Sequence, residues 1–270
     1  MLGKWRWALV LGAVAVAVAS GADAAWAGAV LPERGGSPNA DRIASLYTVV
    51  LVCAALVFAG VVGALLYALR RYSERRNPVP AQIRGHTRLE IAWTLAAAAL
   101  IVFLAVFSLT KLHAIDHPDD AAASPAAVEA GIVPAGEGQA LHIEVVGRQY
   151  IWMYRYPGGV FSYGELVAPV GVTVKLDIVS VDVAHSWWIP KLGGKIDALP
   201  GYVSHTWFRI ERPGVYTGQC AELCGRNHAE MRAQVRGVAP ARYVAWLERQ
   251  RALIREADEQ VARDRAGSGA

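Results

Sequence analysis

The spacing of apolar and polar residues along this chain changes four times, and each change predicts a different element. Residues 1 to about 27 open with Lys4 and Arg6, continue through an apolar centre from Ala8 to Ala19, and offer small-x-small sites at Ala22-Asp23-Ala24 and Ala25-Trp26-Ala27. This pattern predicts a secretory signal cut after Ala24 or Ala27, since the apolar centre is short for an uncleaved membrane helix. Two long apolar runs follow, over residues 46–69 and 91–112. At ~1.5 Å per residue, each reaches across the ~30 Å core of a bilayer, so residues 28–117 are expected to form a transmembrane hairpin. Residues 118–140, rich in Ala, Pro, Gly and acidic side chains, read as an irregular linker. From Leu141 the period shortens, and residues 142–146, 150–156, 173–181, 202–210, 214–218 and 233–237 read as strands separated by Pro and Gly turns. They predict a β-sandwich or barrel over residues 141–240. Beyond Pro240, Leu247, Ile254 and Val261 repeat on one face of an amphipathic helix, and residues 241–270 form that helix and a loose tail.

Composition adds a direction. An apolar content of 54% exceeds that of an average soluble protein, so part of it belongs in lipid. The net charge is only +4, but its placement is informative. Arg70, Arg71, Arg75, Arg76, Arg84 and Arg88 lie between the two apolar runs, opposed only by Glu74 and Glu90. An arginine excess marks a cytoplasmic loop. Both ends of the hairpin then face outward, in agreement with the signal. No basic tract is interleaved with aromatics, which excludes a nucleic-acid partner. Three cysteines do not make a disulfide framework, and the absence of Cys-x-x-Cys-His excludes an attached haem c. Cys53, inside the first run, reads as a small apolar core residue. His113 and His117, just past the second run, read as an interfacial pair.

The chemistry concentrates in Gln219-Cys220-Ala221-Glu222-Leu223-Cys224-Gly225-Arg226-Asn227-His228-Ala229-Glu230-Met231. Thiolate, imidazole and thioether together suit copper. Cys224, His228 and Met231 with a second histidine, His185 of Val183-Ala184-His185-Ser186-Trp187-Trp188, would serve one copper; Cys220 is then a second thiolate placed to bridge two. The competing readings are a Cys220–Cys224 disulfide, a zinc site, and a thiol-redox or copper-delivery pair. Met231 favours copper, because a thioether has no place in the disulfide or a usual zinc site. Both His185 and the cysteine segment fall between predicted strands, at loops on one end of the domain. His142 and His205 fall within strands and read as satisfied structural histidines. Tyr150, Trp152, Tyr154 and Tyr156 alternate, so a regular strand puts all four on one face.

These residues resemble subunit II of the haem-copper cytochrome c oxidases. The family's loop, Cys-Ser-Glu-x-Cys-Gly-x-x-His-x-x-Met, is similar to Cys220 through Met231, and the upstream motif matches at His185-Ser186-Trp187, followed by Pro190, Lys195, Asp197, Pro200 and Gly201. The resemblance covers nearly the whole chain after the signal. It implies a membrane-anchored all-β protein with a cupredoxin-like sandwich and a dinuclear copper centre. Cys220 and Cys224 would bridge the metals, His185 and His228 would cap one each, and Met231 and the Glu222 carbonyl would be weak ligands. The Glu222 carboxylate would also reach a magnesium at the boundary with subunit I. Glu90, in Glu90-Ile91-Ala92-Trp93-Thr94, matches a carboxylate at the mouth of a proton channel. The implied function is to accept electrons from cytochrome c and pass them to haem in subunit I, where oxygen is reduced to water, in a complex with other oxidase subunits. The implied place is the bacterial cytoplasmic (inner) membrane, spanned twice, with both terminal regions on the periplasmic side. The chain departs from the family at Tyr150, which stands where the family's electron-accepting Trp is usual; Tyr150 and Trp152 are the two candidates for that role here. A quinol-oxidising relative would lack the copper ligands, whereas the same copper domain serving a nitric oxide reductase stays open as an alternative.

Overall fold

Two long apolar helices lead the chain in a computed structural model that describes residues 31–79, 81–118, 123–133, 136 and 139–268. The signal-like segment over residues 1–27 lies outside these. Helix α1 spans Pro38–Arg71 and α2 spans Thr87–Asp116. Proline suits the first turn of α1, where its missing N–H costs nothing. At the other end Arg76 and Asn77 side chains donate to the Arg70 and Arg71 carbonyls at 3.0 and 2.8 Å, satisfying groups the helix leaves open. Helix α2 is capped reciprocally: His86 Nδ1 accepts the Leu89 N–H at 3.1 Å, and Glu90 Oε1 accepts the His86 N–H at 3.1 Å. No residue of α2 is buried by protein, and its exposed apolar side chains need lipid around them.

Helix α1 begins well before its apolar run because its first two turns pack against protein. Asn39, Ala40 and Ala44 are buried there. Asn39 Nδ2 donates to the Trp207 carbonyl at 3.2 Å, and the Arg209 N–H donates to Ser37 Oγ at 3.2 Å. Arg42 donates to the Ala114 carbonyl at 2.6 Å and lies 5.7 Å from the centre of the Trp207 ring, whose Nε1 donates to the Ile115 carbonyl at 2.8 Å. One arginine and one tryptophan thus close the last turn of α2 and tie the hairpin to the β domain that follows. Replacing Arg42 with Ala removes a charged hydrogen bond and a cation–π contact, and is expected to lower stability by about 1–2 kcal/mol. Thermal unfolding of the full chain in detergent tests this; an unchanged transition would show that Trp207 holds the junction without Arg42.

The segment expected as irregular linker contains a short helix, α3 (Pro125–Glu129). Ala123, Ala127 and Val133 are buried, and the Ser124 N–H donates to the Gly171 carbonyl at 2.9 Å. Small alanines let this turn lie flat on the domain.

Ten strands form the sandwich: β1 (Ala140–Arg148), β2 (Ile151–Arg155), β3 (Phe161–Tyr163), β4 (Glu165–Pro169), β5 (Thr173–Ser180), β6 (His185–Trp188), β7 (Ile196–Ala198), β8 (Ser204–Arg209), β9 (Gly214–Cys220) and β10 (Arg232–Val238). One sheet runs β3-β2-β1-β5-β8 and the other β4-β10-β9-β6-β7. All pairings are antiparallel except β1 with β5 and β10 with β4. Alternation in β5, with Val174, Leu176 and Ile178 inward, is the period-2 pattern of a half-buried strand. The six predicted strands are present. The other four escaped prediction for physical reasons: β3 and β7 are three residues long, β4 follows Glu165 with four apolar residues that do not alternate, and β6 is short and carries the histidine motif. His185, expected in a loop, is the first residue of β6.

Helix α4 (Pro240–Ser268) covers one side of the sandwich. Tyr243 and Trp246 are buried, the Trp246 ring lying 5.0 Å from that of Tyr156. Leu247 and Ile254 pack on the core as the stripe predicts, but Val261 is exposed, because the helix outruns the sheets. His142 and His205 are also exposed, so burial gives neither a structural role; His205 Nδ1 pairs with Asp177 at 2.8 Å. The His113 and His117 rings stack at 4.5 Å with no third ligand grouped with them among the described residues.

Candidate metal centre

Strands β6 and β9 run side by side with Trp187 opposite Cys220, which brings His185 against the end of β9. The chain leaves β9 at Cys220 and enters β10 at Arg232, and the loop is closed at its neck by the Cys220 N–H donating to the Met231 carbonyl at 2.9 Å. Inside the loop the His228 N–H donates to the Gly225 carbonyl at 3.1 Å, and a short 3-10 turn over His228–Glu230 leads back to Met231. This curl folds the side chains at 220, 224, 228 and 231 inward. Gly225, at φ +133°, takes a conformation that side chains resist, and a Cβ there would sit 2.7 Å from the Tyr150 hydroxyl.

The result is one cluster. Cys220 Sγ lies 3.9 Å from His185 Nδ1, 3.2 Å from the Glu222 carbonyl oxygen and 4.0 Å from Cys224 Sγ. Cys224 Sγ lies 3.5 Å from His228 Nδ1 and 3.8 Å from Met231 Sδ. Ligand atoms of His185, Cys220 and Cys224 all lie within 4.8 Å of one another, and all three residues are buried. Both cysteines are free, and their sulfur separation is about twice a disulfide bond length. Burial, reinforced by the neighbouring Cys220, pushes the Cys224 thiol up to about 11. A metal binding here must therefore displace thiol protons. Two soft sulfurs side by side, each with an imidazole nitrogen beyond it, suit copper better than a hard cation.

The support of this cluster was not legible as such in the sequence. Asp182 Oδ1 meets His185 Nε2 at 2.8 Å, and the Gln149 and Val183 N–H groups donate to the same carboxylate at 2.8 and 2.7 Å. Burial alone would raise the Asp182 pKa; the Gln149, His185 and Val183 hydrogen bonds outweigh it and hold it at about 2. The carboxylate can only accept, so it keeps the imidazole proton on Nε2 and leaves the Nδ1 lone pair facing Cys220. Gln149 also donates through Nε2 to the Cys224 carbonyl at 2.5 Å, joining this support to the loop. Replacing Asp182 with Asn is expected to weaken copper retention about tenfold or more, measured by competition with a copper chelator. Unchanged affinity would show that packing alone orients His185.

The aromatic row divides. Trp152, Tyr154 and Tyr156 are buried on one face, with the Trp187 Nε1 donating to the Tyr154 hydroxyl at 3.3 Å. The Trp152 ring lies 5.8 Å from that of His185 but is fully covered, so Trp152 cannot itself touch a donor. Tyr150 is half-buried in the turn before β2, beside the loop between β9 and β10. The Glu222 side chain is exposed, and Glu90 lies at the other end of the hairpin in the first turn of α2.

Residues 24–111 match the family model of the cytochrome c oxidase subunit II transmembrane domain, and residues 160–238 match that of its periplasmic domain. Cytochrome c oxidase subunit 2 of Alkalihalophilus pseudofirmus is 35% identical over 232 residues, covering 83% of this chain and 63% of the relative's length. The subunit 2 of Cereibacter sphaeroides is 31% identical over 266 residues, 82% of each chain. The chain belongs to the cytochrome c oxidase subunit II family. A solved periplasmic domain of subunit II of cytochrome oxidase from Bradyrhizobium japonicum is 32% identical, covers 42% of this chain and 94% of its own, and has a TM-score of 0.41. Subunit II is part of a haem-copper oxidase, an oxidoreductase complex with further subunits. Membership agrees with the two membrane helices and the copper-type donor set of this subunit II, and favours the oxidase reading over a nitric oxide reductase or a thiol-redox protein.

Proposed function

We propose that this subunit II holds a dinuclear copper centre that accepts electrons from a cytochrome c and passes them to haem in subunit I, for reduction of oxygen to water. The observation that carries the reading is the pair of buried, unbonded thiols 4.0 Å apart, with His185 beside one and His228 and Met231 beside the other. Cys220 and Cys224 would hold the metals through their thiolates, His185 and His228 through their imidazoles, and Met231 and the Glu222 carbonyl as weaker donors. When bound, such a centre supplies reversible one-electron transfer with the charge change spread over two metals. The residues around it hold the ligands still and exclude water: Met231, Cys220 and Cys224 are nearly inaccessible, and Asp182 fixes His185. Tyr150, half-exposed beside Gly225, is the point of electron acceptance. The exposed Glu222 carboxylate serves a magnesium at the boundary with subunit I, and Glu90 lies at the mouth of a proton route. The arginine-rich turn faces the bacterial cytoplasm and the copper domain faces the periplasm, with a cleaved signal preceding residues 28–117, a linker at 118–140 and the copper domain at 141–240.

Loading the full chain in detergent with copper tests the centre. Two coppers per chain, a purple colour and one unpaired electron shared between two equivalent nuclei are expected. A single copper per chain, with one nucleus in the electron resonance spectrum, would overturn it.

A further inference from the structure

A donor cannot touch the sulfur ligands directly: Cys220, Cys224 and Met231 are 2%, 4% and 1% exposed, and His185 is fully buried. What the loop end shows to solvent is an apolar platform. Val181 and Val183 on one loop and Leu223 on another are exposed, with Leu223 at 78%. Tyr150 and His228 are half-buried at the same end. Two cations flank the tyrosine. Arg148 precedes the Gln149-Tyr150 turn, and Arg226 follows Gly225, whose Cα faces the Tyr150 hydroxyl. Both are exposed, and among the described residues neither forms an ion pair.

The carboxylate nearest that turn, Asp182, is engaged inward by the Gln149 and Val183 amides, the Ser180 hydroxyl and the His185 ring. Farther round the end, Asp197, Glu222 and Glu230 are matched in number by Lys195, Arg232 and either flanking arginine. Over residues 140–239 ten Lys and Arg stand against eight Asp and Glu. A lysine-ringed donor needs an excess of carboxylates on the acceptor, and none is present here.

Resting on the copper loop as the point of electron acceptance, we infer that the donor for this subunit is a small redox protein with an apolar patch at its exposed cofactor edge and carboxylates around that patch. The patch meets Val181, Val183 and Leu223 beside Tyr150, and the carboxylates meet Arg148 and Arg226. One electron leaves the donor's reduced cofactor and reduces the copper centre by one; no bond forms and no proton moves. The arginines act on encounter and orientation, so their effect appears in the association rate and its dependence on salt.

The test is stopped-flow reduction of the copper-loaded oxidase complex by two c-type cytochromes of similar potential, one with a carboxylate-ringed haem edge and one lysine-ringed. Between 10 and 200 mM salt the association rate of the acidic donor is expected to fall about tenfold, while that of the lysine-ringed donor does not fall. The R148E/R226E pair is expected to interchange the two salt responses, and R255E on α4 to leave both unchanged. A lysine-ringed donor that is faster at low salt and slowed by added salt overturns the inference. So do rates independent of salt for both donors, the result expected if the catalytic partner covers this face; electron acceptance at the loop then still stands. If neither cytochrome reduces a copper centre that dithionite reduces, electron acceptance itself fails and this inference falls with it.

Discussion

Replacing Cys220 with serine is expected to reduce bound copper from two per chain to at most one and to abolish the purple colour. Cys220 is the thiol that reaches in three directions, to His185 Nδ1 at 3.9 Å, Cys224 Sγ at 4.0 Å and the Glu222 carbonyl at 3.2 Å. An alcohol is a harder and far less acidic donor than a thiol, so it does not replace a thiolate shared by two soft metals. The fold should survive. The Glu222 carbonyl offers the new hydroxyl an acceptor, which limits the folding cost to about 1 kcal/mol. The loss therefore reads at the metal: copper counted against protein, with thermal unfolding of the metal-free chain nearly unchanged. His142→Ala, on an exposed position of β1, is the matched control and should keep both coppers. A C220S chain that still binds two coppers with an unaltered spectrum would remove Cys220 from the bridge.

Gly218→Ala should damage fold and site together. A Cβ at Gly218 would stand 1.8 Å from the Trp188 carbonyl oxygen and 2.9 Å from the Ile189 Cα. These are backbone atoms, so no side chain can rotate away, and β6 and β9 must separate. Overpacking of this kind costs about 3 kcal/mol, at the upper end for small-to-large changes, which lowers the melting temperature of a domain this size by about 10 °C. The same two strands carry His185 and Cys220, so copper affinity should fall as well. Gly164→Ala separates crowding from the general cost of losing a glycine: its φ is +73° and nothing lies within 4 Å of the added Cβ. That change should cost about 1 kcal/mol and spare the copper. Equal effects from the two substitutions would show that the β6–β9 approach is not the sensitive contact.

The proposed ligands were legible as candidates because each is one residue type at a fixed offset in a short segment, and a curl of the loop between β9 and β10 suffices to bring 220, 224, 228 and 231 together. His185 was legible as a partner but not as a strand residue, since four residues of β6 carry too little periodicity to be seen. Asp182 and Gln149 were not legible in their roles. They act on His185 and on the Cys224 carbonyl from other turns of the chain, and nothing in local spacing marks a carboxylate that will be turned inward. The burial of Trp152 was not legible for the complementary reason: alternation puts the aromatic row on one face but does not say whether that face meets solvent or core. It meets the core, and Tyr150 reaches the surface only because it lies in the turn before β2.

By itself the sequence determined the elements whose cause is local. The lipid-spanning helices follow from unbroken apolar runs, the strands from alternation, and the donor set from the residue types that soft metals accept. Tertiary structure decided what depends on distance between segments remote in the chain. It set the approach of β6 to β9 that joins His185 to Cys220, the carboxylate that orients the imidazole, and the clasp of Arg42 and Trp207 that fastens the sandwich to its hairpin. The physical reason is common to all three: each contact closes a loop of chain whose ends carry no periodic or compositional trace of one another, so only the packed fold brings them within reach.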